Sequence, residues 1–527
     1  MRAHHRHSEE LRPGTGDEES LRWPDGEILR ATPQDAALRM TTSYVLRAVV
    51  LVVLAVLAVV PASADPSPKR LAETIDRIVE RSGLVHAFWG IEVRSLESGT
   101  LLYERNATKG FRPASTLKLV TTAAALDTFG PDARVRTTVE TAARLDRRGR
   151  LLGDVYLVGR GDASLSARFG ESPDALPTAA FEAMADALVA AGVRRIEGRL
   201  IGHEGAFSGD PQGLDWMRED LDWGYGTGVS ALSFADNEQH VVLTAGDRPG
   251  DPAVLEVVPR SSVVRLESGV RTGEAGVEED ITLARSLSGV RLSGVLPLGR
   301  EWDGEVAVQD PALFAATAFE DVLQSRGVTV SGRLATSSAP LPADVRVLAT
   351  HEGVPMARLI EEVNKESQNL HAELLLRRLG LQVAGEGTTE AGLEAVERFL
   401  DRLSVPRAGW GLKDGSGLSH TNVVTPRGLA ALLVAMDRHP RANVFRDSLS
   451  VAGVDGKLEN RMRGTPAEGR VAGKTGAMQR VLALAGYATT AGGERLACVV
   501  MVNNHVDLSA NARRALDDIA IALAVSP

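Results

Sequence analysis

The sequence contains little cysteine, no surplus of basic charge and no long apolar run, and each shortage excludes a class of protein. Its 527 residues include one cysteine, Cys498, so neither an internal disulfide nor a cysteine-based metal site can form. The formal net charge of −10 offers no basic face to a nucleic-acid partner. Cys498 lies in an apolar run, 496–502, that is typical of a buried strand, and we therefore expect a core thiol.

The longest apolar run, 48–60, has thirteen residues, whereas a membrane-spanning helix needs ~20. The run follows the basic residue Arg47 and precedes an Ala-x-Ala sequence that ends at Ala64. This order predicts a secretory signal peptide over 40–64, cleaved after Ala64. An uncleaved membrane anchor is the alternative interpretation.

Residues 1–39 show no apolar periodicity, and we expect them to be a disordered or untranslated extension, with Met40 as the true start. The signal peptide predicts an exported, extracytoplasmic protein of the periplasm or cell wall. Such a location is compatible with peripheral association with the membrane or the wall.

A serine and a lysine three residues apart mark the first candidate site. Pro113 disfavours a helical conformation at the residue before it, and Ser115 then begins a helix-forming run that ends at Gly130. On that helix Ser115 and Lys118 share a face, so the lysine amine can approach the hydroxyl and remove its proton. By itself the pattern is more typical of a capping serine beside a solvated lysine.

The middle of the chain differs in pattern from its two ends. Short β-like runs broken by Gly, Asp and Pro fill 139–338, whereas longer helical and strand patterns occupy 65–138 and 339–527. We predict an α/β (α+β) protein in which 65–138 and 339–527 form one catalytic domain and 139–338 forms inserted β-rich domains. Gly224–Gly228 lacks the strand-then-helix context of a phosphate loop and is interpreted as a cluster of turns.

A second polar motif, Ser367-Gln368-Asn369, lies in a break between two predicted helices. Loops at helix ends can direct both a hydroxyl and an amide into a cleft. The helix after the break is predicted over 369–379, with Gly380 as its end.

A third motif, Lys474-Thr475-Gly476, ends the strand-like run 470–473 and precedes a predicted strand over 481–488. Each motif is common by itself. Together and in this order, Ser-x-x-Lys, Ser-x-Asn and Lys-Thr-Gly are the motif set of penicillin-binding proteins and serine β-lactamases.

The chain resembles a narrower family, the class C low-molecular-mass penicillin-binding proteins, which are D-alanyl-D-alanine carboxypeptidases/endopeptidases of peptidase family S13. The resemblance runs from about Leu71 to the C-terminus and is strongest in 112–126, 414–419 and 451–476. The family similarly inserts extra domains between its first two motifs. The resemblance implies a penicillin-binding/serine β-lactamase-like transpeptidase domain, with an antiparallel sheet flanked by helices.

Membership of this family would give each catalytic motif residue a role. Ser115 would attack the carbonyl of the penultimate D-Ala and form an acyl-enzyme. Lys118 would accept its proton, with a pKa lowered by burial and by the charge of Lys474. Ser367 would relay a proton to the departing amine, and Asn369 would hydrogen-bond the amide backbone of the substrate.

The resemblance also implies a substrate-binding strand. Lys474 and Thr475 would hold the terminal carboxylate of a peptidoglycan stem peptide ending in D-Ala-D-Ala, next to Gly476. The N–H groups of Ser115 and Ala477 would form an oxyanion hole. Many relatives carry Thr where Ala477 stands, so a hydroxyl for the carboxylate is missing here. β-Lactam antibiotics are expected as acylating inhibitors, and no cofactor or metal is implied.

Other functions fit part of this pattern. A serine β-lactamase shares the motifs, but class A enzymes also need a Glu-x-x-x-Asn loop, and no convincing one lies between Ser115 and Ser367. A non-catalytic cell-wall scaffold with the same fold and an esterase are further alternatives. Asp414 and Ser416 could form a second Ser/Asp pair, although Asp-Gly-Ser-Gly is typical of a turn.

Overall fold

The computed structural model describes residues 68–527, apart from 171, 173–174, 260, 262, 287–288 and 507–508. The predicted extension over 1–39 and the predicted signal peptide over 40–64 lie outside the described residues. Among the residues that are described, no helix has the length and apolarity required to cross a bilayer.

The described chain begins with an amphipathic helix, a hairpin and a second helix, as the spacing of apolar residues predicts. A short 3₁₀ helix precedes the second α-helix, which ends at Gly130 as predicted. These elements are α1 (Pro68–Arg81), β1 (Phe88–Ser95), β2 (Leu101–Arg105), the 3₁₀ helix Ala114–Leu117 and α2 (Lys118–Phe129).

Short strands dominate the middle of the chain. Phe181 and Phe234 stack in its core with ring centroids 4.8 Å apart, and Phe314 packs against Phe234 at 5.4 Å. The elements are β3 (Arg136–Thr141), β4 (Arg150–Leu151), β5 (Val155–Val158), α3 (Ala179–Ala190), β6 (Arg195–Ile196), β7 (Leu200–His203), β8 (Glu238–Thr244), β9 (Val254–Val258), β10 (Leu266–Ser268), β11 (Arg271–Gly273), β12 (Asp280–Ser286), β13 (Gly289–Pro297), β14 (Glu301–Ala307), α4 (Pro311–Ser325), β15 (Thr329–Val330), β16 (Ala335–Ser337) and β17 (Arg346–Glu352).

Longer elements return in the last part of the chain. Thr425 caps one helix by accepting the N–H of Gly428, and Pro426 occupies the first turn. The elements are α5 (Met356–Lys365), α6 (Asn369–Ala384), α7 (Thr389–Arg402), α8 (Pro426–Asp437), α9 (Ala442–Asp447), β18 (Ser450–Val451), β19 (Val471–Met478), β20 (Val481–Thr489), β21 (Arg495–Asn503) and α10 (Ser509–Val525).

The largest sheet joins the two ends of the described chain. Its six strands are antiparallel and follow the order β18-β19-β20-β21-β1-β2. The hairpin near the start of the chain therefore pairs with the last strand, β21. The middle region has its own sheets, of which the largest is five-stranded with the order β16-β7-β5-β3-β17. The predicted domain boundaries at 138/139 and 338/339 stay predictions.

Strand β21 shows how the six-stranded sheet separates two layers of core. Its side chains alternate between the two faces, since successive residues of a strand point to opposite sides. Cys498 and Val500 belong to the cluster formed with α1 and α10, whereas Val499 and Met501 belong to the cluster formed with α2 and α5–α8. The Cys498 thiol is buried, which confirms the predicted core position, and burial raises its pKa to about 12.

The prediction that Gly380 ends a helix is wrong. Helix α6 continues to Ala384 and ends at Gly385, whose φ of 77° is the left-handed conformation that glycine adopts readily. A Cβ atom on Gly380 would lie 2.7 Å from the backbone nitrogen of Gly392 in α7. Gly380 is therefore needed for the close packing of two helices.

The prediction that Lys474-Thr475-Gly476 follows the end of a strand is also wrong. The motif lies inside β19, because that strand pairs with β20 along its whole length from Val471 to Met478. The three residues are thus held by a sheet rather than by a loop.

Candidate active site

Ser115 lies at the start of the helical segment that carries the first motif. It is the second residue of the 3₁₀ helix Ala114–Leu117 and is partly exposed, while Lys118, the first residue of α2, is fully buried. Ala114 has a positive φ of 47°, a strained conformation for a residue with a Cβ atom. The Thr116 hydroxyl donates to the carbonyl of Pro113 at 2.7 Å and fixes this turn.

The amine of Lys118 has three oxygen neighbours. Its Nζ lies 2.9 Å from Ser115 Oγ, 2.6 Å from Asn369 Oδ1 and 2.7 Å from the carbonyl oxygen of Ser416. The last two oxygens are acceptors only. A neutral amine can donate its two protons to them and direct its lone pair at the hydroxyl proton of Ser115.

The electrostatic surroundings favour that neutral form near neutral pH. Burial lowers the pKa of Lys118 to about 7, while the nearby charges of Asp414 and Glu373 act in the opposite direction. Burial also raises the pKa of Glu373 to about 7, with Asp414 as the second cause. The Glu373 carboxylate accepts N–H groups from Gly415 and Ser416, at 3.0 and 2.7 Å, and so fixes the carbonyl that binds Lys118.

The second motif lies in the break between α5 and α6 and contacts the first motif there. Gln368 caps α6 by accepting the N–H of Leu370 at 3.0 Å, which places Asn369 at the start of the helix. Ser367 has a positive φ of 68°. Asn369 Oδ1 accepts from Lys118, and its Nδ2 donates to the carbonyl of Tyr225 at 2.8 Å.

The third motif completes the arrangement from β19. Lys474 is fully buried and its Nζ donates to Ser367 Oγ at 2.8 Å and to the Thr475 carbonyl at 3.0 Å. Burial, followed by the charges of Lys118 and Lys457, holds the pKa of Lys474 well below its ordinary value. A Cβ atom on Gly476 would lie 2.7 Å from the Pro113 carbonyl, so glycine permits this close approach.

A cleft of about 400 Å³ opens between the Ser115 segment and β19. Strand β18 pairs with β19 only at Ala472 and Gly473, so from Lys474 onward no strand of the described residues lies beside the second edge of β19. The cleft is lined by Ser115, Ser367, Lys457, Arg461, Thr475, Gly476, Ala477, Leu482, Ala483, Arg513 and Leu516. Within the described ranges, no group of three or more His, Cys, Asp or Glu side chains could hold a metal ion.

The predicted motif residues therefore come together, and several neighbours were not predicted. Gly224–Gly226 forms a single turn of 3₁₀ helix, and the Tyr225 carbonyl in this turn accepts a hydrogen bond from Asn369. Glu373 follows Asn369 by four residues and shares its helix face, a spacing that could have identified it. The Ser416 carbonyl carries no sequence signal, since any residue has one.

Asp414 has the structural role expected of an Asp-Gly-Ser-Gly turn. Its carboxylate accepts the N–H groups of Gly417 and Ser419 at 2.8 and 2.6 Å and the Asn422 amide at 2.8 Å. It also accepts the indole N–H of Trp216, a residue of the middle region, at 3.0 Å. The turn holds Ser416 beside Lys118 and contains no second Ser/Asp pair in hydrogen-bond contact.

Comparison with known proteins agrees with this geometry. The chain is 37% identical over 462 residues to the D-alanyl-D-alanine carboxypeptidase of Actinomadura sp. (strain R39), covering 84% of each chain. The crystal structure of penicillin-binding protein 4 (dacB) from Haemophilus influenzae matches with a TM-score of 0.73 at 22% identity, covering 85% of this chain and 97% of that one. The same H. influenzae protein complexed with a novel β-lactam matches with a TM-score of 0.69 at 20% identity, covering 85% and 98%.

The match to a family model extends across nearly all of the described chain. Residues 71–523 match the D-Ala-D-Ala carboxypeptidase 3 (S13) family. The fold has the mixed α/β character expected of that family, with the motif serine, lysines and asparagine joined by hydrogen bonds at one cleft. The chain belongs to the D-Ala-D-Ala carboxypeptidase 3 (S13) family and is a serine-type D-Ala-D-Ala carboxypeptidase.

Proposed function

We propose that Ser115 is the nucleophile and Lys118 the general base of this carboxypeptidase. The observation that carries the proposal is the contact of 2.9 Å between Lys118 Nζ and Ser115 Oγ, combined with two acceptor-only partners on the same amine. Lys118 takes the hydroxyl proton while Ser115 Oγ forms a bond to the carbonyl carbon of the penultimate D-Ala. The lysine then carries the positive charge.

The next step releases the terminal D-Ala. Its peptide C–N bond breaks, the departing nitrogen takes the proton that Lys118 holds, and the rest of the peptide stays on Ser115 as an ester while Lys118 becomes neutral again. Ser367 would relay that proton from Lys118 to the nitrogen, since its side chain lines the same cleft as Ser115 and is held by Lys474 Nζ at 2.8 Å. Water then attacks the ester carbonyl and gives a proton to Lys118. The lysine returns that proton to Ser115 Oγ as the ester bond breaks, which restores the starting enzyme.

Substrate recognition is assigned to β19. A stem peptide ending in D-Ala-D-Ala can lie along the free edge of this strand beyond Gly473, as an added strand. The N–H groups of Ser115 and Ala477 would then stabilise the developing oxyanion. Thr475 would bind the terminal carboxylate, with Lys474 behind it in the strand.

Penicillins are expected to acylate the same serine, because a β-lactam presents a strained amide and a carboxylate to the same groups. The β-lactam complex of the H. influenzae relative supports this expectation. The N-terminal sequence pattern supports export to the periplasm or cell wall by a signal peptide over 40–64, cleaved after Ala64. Contact with the membrane surface or the wall remains part of this proposal.

Mass spectrometry with a labelled penicillin tests the assignment. The purified protein should gain the mass of one penicillin and should release D-Ala from a D-Ala-D-Ala peptide. Ser115→Ala should show neither, while Ser208→Ala, a control at an exposed position, should show both. Rapid return of the free enzyme with hydrolysed penicillin would indicate a β-lactamase, and a wild-type protein without any adduct would indicate a scaffold.

A further inference from the structure

The proposed substrate ends in a carboxylate, yet the side chains of β19 in the cleft offer few unused hydrogen-bond donors for it. Lys474 Nζ already donates to Ser367 Oγ and to the Thr475 carbonyl. Burial and neighbouring positive charges also disfavour the protonated form of Lys474. Ala477 is exposed in the cleft but carries only a methyl group. A carboxylate bound here therefore needs a further cationic partner.

Three cationic side chains line the cleft beyond Thr475, and two of them are already paired. Lys457 lies 3.4 Å from the carboxylate of Glu366. Arg461 contacts Asp517 through Nε at 3.0 Å and through Nη2 at 2.5 Å. Arg513 is exposed and has no hydrogen bond or ion pair with any residue in the part of the chain that the structure describes.

Arg513 and its neighbour Arg514 point into different cavities because of the geometry of α10. Arg513 and the buried Leu516 are three residues apart on α10, and both line the cleft that contains Ser115. Successive residues of an α-helix point ~100° apart. Arg514 accordingly lines a separate cavity of about 320 Å³ between α1 and α10, together with Arg77.

We propose that Arg513 binds the terminal carboxylate of the substrate, in place of the hydroxyl that Ala477 lacks. A guanidinium group presents paired N–H donors that match the two oxygens of a carboxylate. Thr475 would contribute the second contact, because its hydroxyl has no partner among the described residues. This inference rests on the proposed function and identifies the residue that selects peptides with a free C-terminus.

The test compares two peptides and two adjacent arginines. An N-acylated D-Ala-D-Ala peptide and its C-terminal carboxamide are each assayed with the wild type, Arg513→Ala and the matched control Arg514→Ala. Arg513→Ala should raise KM for the free acid ~10-fold with little change in kcat, because a charge-assisted contact is lost. The affinity of the carboxamide, measured as a substrate or as a competitor of penicillin acylation, should not change. Arg514→Ala should match the wild type with both peptides.

Two further variants separate recognition from structure. Arg513→Lys keeps the charge and should recover part of the loss. Ala477→Thr, placed in the Arg513→Ala protein, should also lower KM for the free acid, because it returns a hydroxyl to the same position. Stoichiometric acylation of Ser115 by saturating penicillin shows that each variant is folded.

Unchanged KM for the free acid in Arg513→Ala, or an equal loss of affinity for the carboxamide, would overturn the inference and leave the proposed function standing. A wild-type protein that releases no D-Ala and forms no penicillin adduct would instead overturn the proposed function itself.

Discussion

The two walls of the cleft differ in how far their polar groups are already satisfied. The nucleophile wall consists of Ser115, Lys118, Asn369 and the Ser416 carbonyl. Lys118 Nζ lies 2.6 to 2.9 Å from an oxygen atom of each of the other three residues. The strand wall, formed by Lys474, Thr475 and Ala477, keeps an unpaired strand edge and an unbonded hydroxyl among the described residues. Bond-making groups are thus held in place before substrate arrives, whereas binding groups are left open for it.

The two buried lysines, one in each wall, also differ in the sign of the charges near them. Lys118 has the carboxylates of Asp414 and Glu373 nearby, which oppose the effect of burial and leave its pKa at about 7. Lys474 faces the positive charges of Lys118 and Lys457, which add to burial and keep its pKa well below the ordinary value. Lys118 is therefore placed to gain and lose a proton close to neutral pH.

The largest effect is expected from removing the general base of the nucleophile wall. Lys118→Met should lower the rate of D-Ala release ~10²- to 10⁴-fold, the range expected for loss of general base catalysis. Stopped-flow acylation by penicillin should fall in parallel. Lys69→Met, at an exposed position of α1, is the control and should leave both rates unchanged. A rate within ~10-fold of the wild type would exclude Lys118 as the base.

Replacing the carboxylate behind the nucleophile wall should affect both stability and pH dependence. In Glu373→Gln one oxygen must serve the N–H groups of Gly415 and Ser416, so the free energy of unfolding should fall by ~1–3 kcal/mol in urea titrations. Loss of the Glu373 charge should also move the acid limb of the pH–rate profile to lower pH, since that charge raises the pKa of Lys118. Glu394→Gln, an exposed change on α7, should do neither. An acid limb that moves to higher pH would contradict this account.

A smaller effect should come from the middle region, which supports the nucleophile wall through Trp216. Trp216→Phe removes an indole N–H bond of 3.0 Å to Asp414, whose carboxylate keeps its other donors. We expect kcat/KM to fall ~5-fold, consistent with the loss of about 1 kcal/mol from one hydrogen bond. Trp302→Phe, at a partly buried position packed against the core of the middle region, serves as the control for indole loss. Equal activity of Trp216→Phe and the wild type would show that this contact does not support the site.

The smallest change should be a gain on the strand wall. Ala477→Thr adds a hydroxyl to an exposed position of β19, and KM for a D-Ala-D-Ala peptide should fall about 3-fold. Ala477→Val has the same shape without the hydroxyl and should leave KM unchanged or raised. Identical KM values for the two variants would show that the hydroxyl makes no contact with substrate.

The sequence predicted the strong patterns and missed those that depend on packing. The order of Ser115, Lys118, Asn369 and Lys474 was sufficient to predict that they meet, although residues 130 to 366 separate the helix of the first motif from the second motif. The end of α6 was misjudged, because Gly380 is required by contact with α7 rather than by a turn. The sequence alone does not show whether a glycine ends a helix or permits close packing of two helices.

The missed parts of the site are mostly backbone groups or long-range contacts. Carbonyls of Ser416 and Tyr225 bind Lys118 and Asn369, and their positions depend on the whole fold. Arg513 lies in α10, and its direction toward the cleft follows only from how this helix packs on the sheet. Side-chain chemistry was thus readable from the sequence, while the placement of backbone and of distant helices was not.

The pH dependence of Ser115 acylation by penicillin tests the central claim most directly. If neutral Lys118 is the base, the second-order rate constant should rise ~10-fold per pH unit below about 7 and then level off, because the unprotonated fraction grows with pH. Replacement of Glu394 should not alter this profile. A rate that is constant from acid to alkaline pH, or that rises only toward the ordinary lysine pKa of ~10.4, would contradict the account.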